Sequence, residues 1–153
     1  MKEQNDKPKM HPAKVYLRQY NDMKLRRDDL RDELMMIRMN ATRATSRMTA
    51  ERVSGTSARD SMANAAVKAV EAEKRLERLI LNITEALDMR SFLIDQMKDE
   101  REKTILTERY ISQRDWPEIQ ERLYISRSRL MELHGYALNN FWEIYCRFSK
   151  SSD

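Results

Sequence analysis

The residues with the most chemistry to offer lie between Trp116 and Phe141, in the run WPEIQERLYISRSRLMELHGYALNNF. Arg127, Ser128, Met131 and Glu132 share one side of a helix that starts near Ser126, opposite the apolar Leu130 and Leu133. An arginine can fork onto a guanine edge or a phosphate, a serine can donate to either, and a glutamate can accept from cytosine. Arg129 stands beside this group, and Ser126 is placed to cap the helix. Just upstream, Gln113, Arg114 and Arg122 are placed to touch phosphates or RNA polymerase. The candidate DNA-contacting set is therefore Arg114, Arg122, Ser126, Arg127, Ser128, Arg129, Met131 and Glu132.

These side chains need a scaffold, and the spacing supplies one. Trp116, Ile119 and Leu123 recur at steps of three and four, which predicts a helix of about two turns with a single buried face. Pro117 fits its first turn, where the missing N–H has no partner to lose. A longer helix follows the residues YIS, with Leu130, Leu133, Ala137, Leu138 and Phe141 facing inward. Short helix, tight turn and longer helix together make a helix-turn-helix pattern. Before it, DEREKTILTERYI predicts a helix that buries Ile105, Leu106, Tyr110 and Ile111, with a polar break over Ser112 to Asp115.

The segment ILTERYISQRDWPEIQERLYISRSRLMELHGYALNNF resembles region 4 of bacterial sigma factors. Leu106, Arg109, Tyr110, Trp116, Glu118, Ile119, Leu123, Ile125, Ser126, Arg127, Arg129, Leu130, Ala137 and Leu138 fit that pattern. The whole chain is similar to RinA/ArpU-like phage and prophage late-gene regulators, in which a helical hairpin opening on a Tyr-Leu-x-x-Tyr-like motif precedes such a domain. Tyr16 to Tyr20, YLRQY, stands where that motif would begin. The resemblance implies a transcriptional regulator that places the helix beginning at Ser126 in the major groove. The sequence departs from the pattern at Gln120, where a small residue is usual, and at Tyr124, where glycine is usual. It departs again at Met131 and Glu132, which replace polar or basic base-reading residues.

The rest of the chain carries two heptad-like seams. One runs through Tyr16, Tyr20, Met23, Leu30, Leu34, Ile37, Ala41, Ala44 and Met48, with Arg27 in the missing place, and predicts a helix from about Pro12 to about Met48. The other runs through Met62, Ala66, Ala69, Leu76, Ile80, Ile83, Leu87, Ile94 and Met97, with Glu73 and Arg90 as polar exceptions, and predicts a helix from about Ser61 to about Met97. Between them TAERVSGTSARDS holds turn and cap residues, so the two helices are expected to fold back as a long antiparallel, coiled-coil-like hairpin. Partly apolar flanks at Leu25, Met35, Met36, Leu79 and Leu81 point to homodimerisation through it. The expected architecture is all-α. A flexible basic arm covers 1–11, the hairpin 12–98, a sigma-region-4-like domain 99–148 and a disordered tail 149–153.

Composition excludes several classes. Two glycines and three prolines in 153 residues are too few for a sheet protein with many reversals. No apolar run is long enough for a membrane span, and no apolar block follows the basic start, so a cytoplasmic, nucleoid-associated address is expected. Cys146 is single, and His11 and His134 lie far apart, so neither metal nor cofactor is expected and no catalytic constellation emerges. His134 reads as a surface or phosphate-contacting residue and Trp116 as core.

Charge complicates DNA binding. From Asp99 onward nine Lys/Arg face ten Asp/Glu, whereas residues 1–48 carry twelve basic against seven acidic side chains. Phosphate neutralisation supplies most non-specific affinity. The C-terminal module is thus expected to need a dimer, the upstream basic arm or RNA polymerase as a co-binder on double-stranded DNA. The alternative is an adaptor that docks this domain on RNA polymerase or another phage or host protein.

Overall fold

The computed structural model describes residues 10–50 and 56–151. Among them all regular structure is helical: α1 (Pro12–Ala50), α2 (Thr56–Asp95), α3 (Glu100–Leu106) with a π-helical turn (Thr107–Ile111), α4 (Trp116–Leu123) and α5 (Arg127–Ser151). No helix among the described residues is long and apolar enough to cross a membrane. α1 and α2 continue into the Ser- and Thr-rich stretch from both sides, and α2 starts at Thr56 rather than near Ser61. α5 also runs through the start of the expected tail, to Ser151. Most of the expected arm, residues 1–9, lies outside the described residues, as do 152 and 153.

The chain forms two compact units, and neither matches the division expected at residue 98. One contains Lys24–Glu85; the other joins the chain up to Met23 with everything from Ala86 onward. The second unit is shared because its core draws on both stretches. Ala13, Leu17, Leu93, Ile94 and Met97 are buried with Leu106, Tyr110, Ala137, Leu138 and Phe141 in one cluster. Apolar surface from the two long helices is thus used to complete the C-terminal domain, and each fully buried leucine contributes on the order of 2 kcal/mol.

Within Lys24–Glu85, α1 and α2 pack side by side through Leu30, Leu34 and Leu76, flanked by Ile37, Ile80 and Ile83. Arg38 clasps Glu73 and Glu77 across them, at 2.5 and 2.6 Å. The seam fades where it was expected to continue, since Ala41, Ala44 and Ala66 are exposed. A methyl group offers too little area to hold such a seam closed.

Candidate nucleic-acid interface

Each helix of the C-terminal segment starts on a side-chain cap. Asp99 accepts from the N–H groups of Arg101 and Glu102 at 2.9 and 3.0 Å. Asp115 and Glu118 form a reciprocal capping box at the start of α4, with Pro117 in its first turn. At α5 the Ser126 hydroxyl accepts from the Arg129 N–H at 3.2 Å, as the sequence suggested. Ile105, Ile119, Leu130 and Leu133 then bury together, joined by Trp116, Leu123, Ile125 and Met131, and fix α3, α4 and α5 against one another. The apolar face expected on α5 is buried throughout: Leu130, Leu133, Ala137, Leu138 and Phe141.

The turn between α4 and α5 has an unusual occupant. Tyr124 ends α4 in the left-handed region, at φ 52° and ψ 42°, with its side chain 93% exposed. A Cβ there collides with the neighbouring carbonyl, and burial returns nothing. Tyr124→Gly should therefore stabilise the protein by about 1 kcal/mol, less the extra freedom glycine gives the unfolded chain. The measurement is a urea titration, in which the midpoint should rise with an unchanged slope. A lower midpoint would show that the tyrosine side chain holds the turn. Gln113 is also left-handed, at φ 59°, but its side-chain amide donates to the Tyr110 carbonyl, so substitution there mixes two effects.

The eight candidate DNA-contacting residues fall into different environments. Arg127 and Ser128 are exposed on the first turn of α5 and, among the described residues, make no side-chain hydrogen bond or ion pair. Arg129 is exposed but tied to Glu132 at 2.6 Å, and Glu132 also accepts from the Tyr136 hydroxyl. Hence these two neutralise each other. Met131 is half-buried against the Ile105, Ile119, Leu130 and Leu133 cluster, which removes it from the outer face where its spacing had put it. Ser126 spends its hydroxyl on the cap. Arg114 and Arg122 come from the loop before α4 and its last turn, and both approach the Glu108 carboxylate.

Behind this surface lies a polar network that sequence reading did not anticipate. His134 is buried, not at the surface, and its Nε2 is 2.9 Å from the Tyr110 hydroxyl. Its ring stacks on Tyr110 and meets the edge of Trp116, and the Arg109 guanidinium lies 4.8 Å over Trp116. Arg109 also donates to the Arg114 carbonyl at 2.9 Å, which holds the loop before α4. The available signal was that His134 adjoins Leu133 at the edge of the inner stripe and follows Leu130 by four residues.

Burial lowers the His134 pKa to about 4, helped by Lys14, Arg109 and His11, while burial first of all pushes Tyr110 up to about 12. The sign for stability follows from where the proton sits. Below about pH 6.5 the unfolded chain takes up a proton that the folded chain refuses until near pH 4. Stability should be unaffected by this group above about pH 6.5 and should fall as pH drops. The loss is about 1–2 kcal/mol by about pH 5, less than full burial would give because the ring is not wholly removed from water. His134→Gln keeps a hydrogen-bonding group without the titration. Its stability deficit relative to wild type should shrink between about pH 7.5 and about pH 5 in chemical denaturation; a constant deficit would refute the assignment.

Among the described residues no group of His, Cys, Asp and Glu side chains could hold a metal ion. Cys146 is a half-buried free thiol. The chain matches no protein-family model, no curated protein and no solved structure.

Proposed function

We propose that this chain is a phage or prophage transcriptional regulator that binds double-stranded DNA through α4 and α5. One observation carries the reading: a short capped helix and a left-handed turn lead into a longer capped helix whose first turn offers Arg127 and Ser128 to solvent. That order suits a helix-turn-helix, in which the second helix enters the major groove by its N-terminal end. The resemblance to sigma region 4 and to RinA/ArpU-like regulators supports the same assignment. In this reading α1 and α2 form an antiparallel hairpin that pairs two copies and sets the spacing of two half-sites. Leu25, Met35, Met36, Leu79 and Leu81 are exposed, consistent with such pairing. The protein acts without catalysis, in the nucleoid of a bacterial host, with RNA polymerase as a further partner.

The adaptor reading has a specific observation in its favour. Arg114, Arg122 and Arg129 are each partnered by a carboxylate, which leaves little free positive charge in a module that is already near neutral. The experiment that separates the two is genome-wide mapping of bound DNA in the native host, together with solution mass. The regulator gives discrete sites and the mass of a dimer. A null map with a stable polymerase complex would transfer the assignment to the adaptor.

A further inference from the structure

Glu108 sits in the π-helical turn, largely buried, and gathers two arginines from different places in the chain. Arg114 comes from the loop before α4 and Arg122 from the last turn of α4. Both present the same atom, Nε, to the same carboxylate oxygen, and both Nε atoms lie within 3.5 Å of it. The inner contact is an ion pair, not an aligned hydrogen bond, and its atoms Glu108 Oε2 and Arg114 Nε are fully buried. The outer edges differ. Among the described residues the terminal guanidinium nitrogens of Arg114 and Arg122 make no hydrogen bond, and the side chains are 37% and 54% exposed.

One carboxylate between two guanidinium groups leaves a net single positive charge, with both groups gathered at one carboxylate oxygen. A guanidinium fork matches the paired oxygens of a phosphate, and holding it in place before binding removes the ordering cost that a free arginine incurs. A carboxylate meant only to cancel charge could stand exposed beside either arginine. Glu108 instead meets both Nε atoms from a largely buried position, which holds the two guanidinium groups at one place while much of each arginine side chain stays exposed.

We propose that Glu108 is a positioning residue that assembles Arg114 and Arg122 into a clamp for one phosphate group. On the Proposed function this is a phosphodiester of duplex DNA, beside the groove entered by Arg127 and Ser128. Only the source of the phosphate rests on that reading; the clamp itself rests on the geometry around Glu108.

The test therefore begins without DNA. Inorganic phosphate is titrated into the full chain while the Nε–Hε resonances of Arg114 and Arg122 are followed by NMR. Both should shift together and saturate with one affinity, and Glu108→Gln should weaken that affinity about threefold to tenfold although it adds a positive charge. Tighter binding in Glu108→Gln would show that Glu108 only neutralises, and the clamp would be overturned; unmoved resonances would overturn it too. In a second arm, Arg114→Ala with Arg122→Ala is compared with wild type on duplex DNA across salt concentrations. Two arginines on one phosphate should lower the salt slope by about one, whereas separate phosphates would lower it by about two and refute the shared clamp. Phosphate binding without DNA binding would retain the clamp and overturn the regulator.

Discussion

Arg127→Ala combined with Ser128→Ala should weaken binding to a mapped site by about 2–4 kcal/mol, roughly 30-fold to 1000-fold, while affinity for random duplex changes little. On the proposed reading the size follows from one bidentate arginine contact and one serine contact, each lost without replacement. The selectivity for the mapped site follows from position. Both side chains are exposed at the first turn of α5 and are unpaired among the described residues, so their removal leaves no intramolecular partner behind. For the same reason the stability of the double variant should stay within about 0.5 kcal/mol of wild type, because the Ser126 cap and the Leu130–Leu133 packing remain. Arg129→Ala serves as the internal comparison. Its guanidinium is already occupied by Glu132, so its loss should cost less binding than Arg127. Competition binding against random duplex reads all three variants. Undiminished site preference in the double variant would remove α5 from the reading role.

The contrast between residues 127–128 and their neighbours shows how far sequence reaches. Period and capping chemistry are local, so the helices, the Ser126 cap and the buried face of α5 were legible. Partnership is not local. Nothing in the spacing shows that Glu108 lies beside both Arg114 and Arg122, six and fourteen residues away across a turn. The cluster of Ile105, Ile119, Leu130 and Leu133 explains Met131 in a similar way: helical spacing placed it outside, but the packing of α4 against α5 widens the buried arc to include it. His134 was misjudged because a histidine beside a leucine is ambiguous until a phenol appears within hydrogen-bonding reach. The compact units divide the chain elsewhere than at residue 98 for a related reason. Heptad periodicity runs through α1 and α2 without marking that Leu17 and Leu93, next to the seam positions Tyr16 and Ile94, are buried in the core around Phe141.

Arg90 lies between α1 and α2 beside that shared core, and the outcome of substituting it should depend on what replaces it. It is one of two polar exceptions in the second seam and is only 4% exposed. Its Nε donates to the Tyr16 carbonyl at 3.1 Å, Nη1 to the Ala86 carbonyl at 2.8 Å and Nη2 to Gln19 Oε1 at 3.0 Å, and the guanidinium lies 3.9 Å over the Tyr16 ring. No carboxylate pairs with it among these contacts, so burial dominates and lowers its pKa from the ordinary arginine value. Arg90→Ala removes a long buried stem from between α1 and α2 and should destabilise by about 2–4 kcal/mol. Arg90→Met refills most of that volume without a charge to desolvate, and Gln19 is exposed and can turn to water. Stability should then return to within about 1 kcal/mol of wild type or exceed it. Equal losses in the two variants would mean that the three hydrogen bonds, not the filled volume, hold the helices together. A stable Arg90→Met protein with broadened amide resonances at Tyr16 and Ala86 would assign the arginine a different task, fixing the register of α1 on α2 where a purely apolar seam would tolerate slippage.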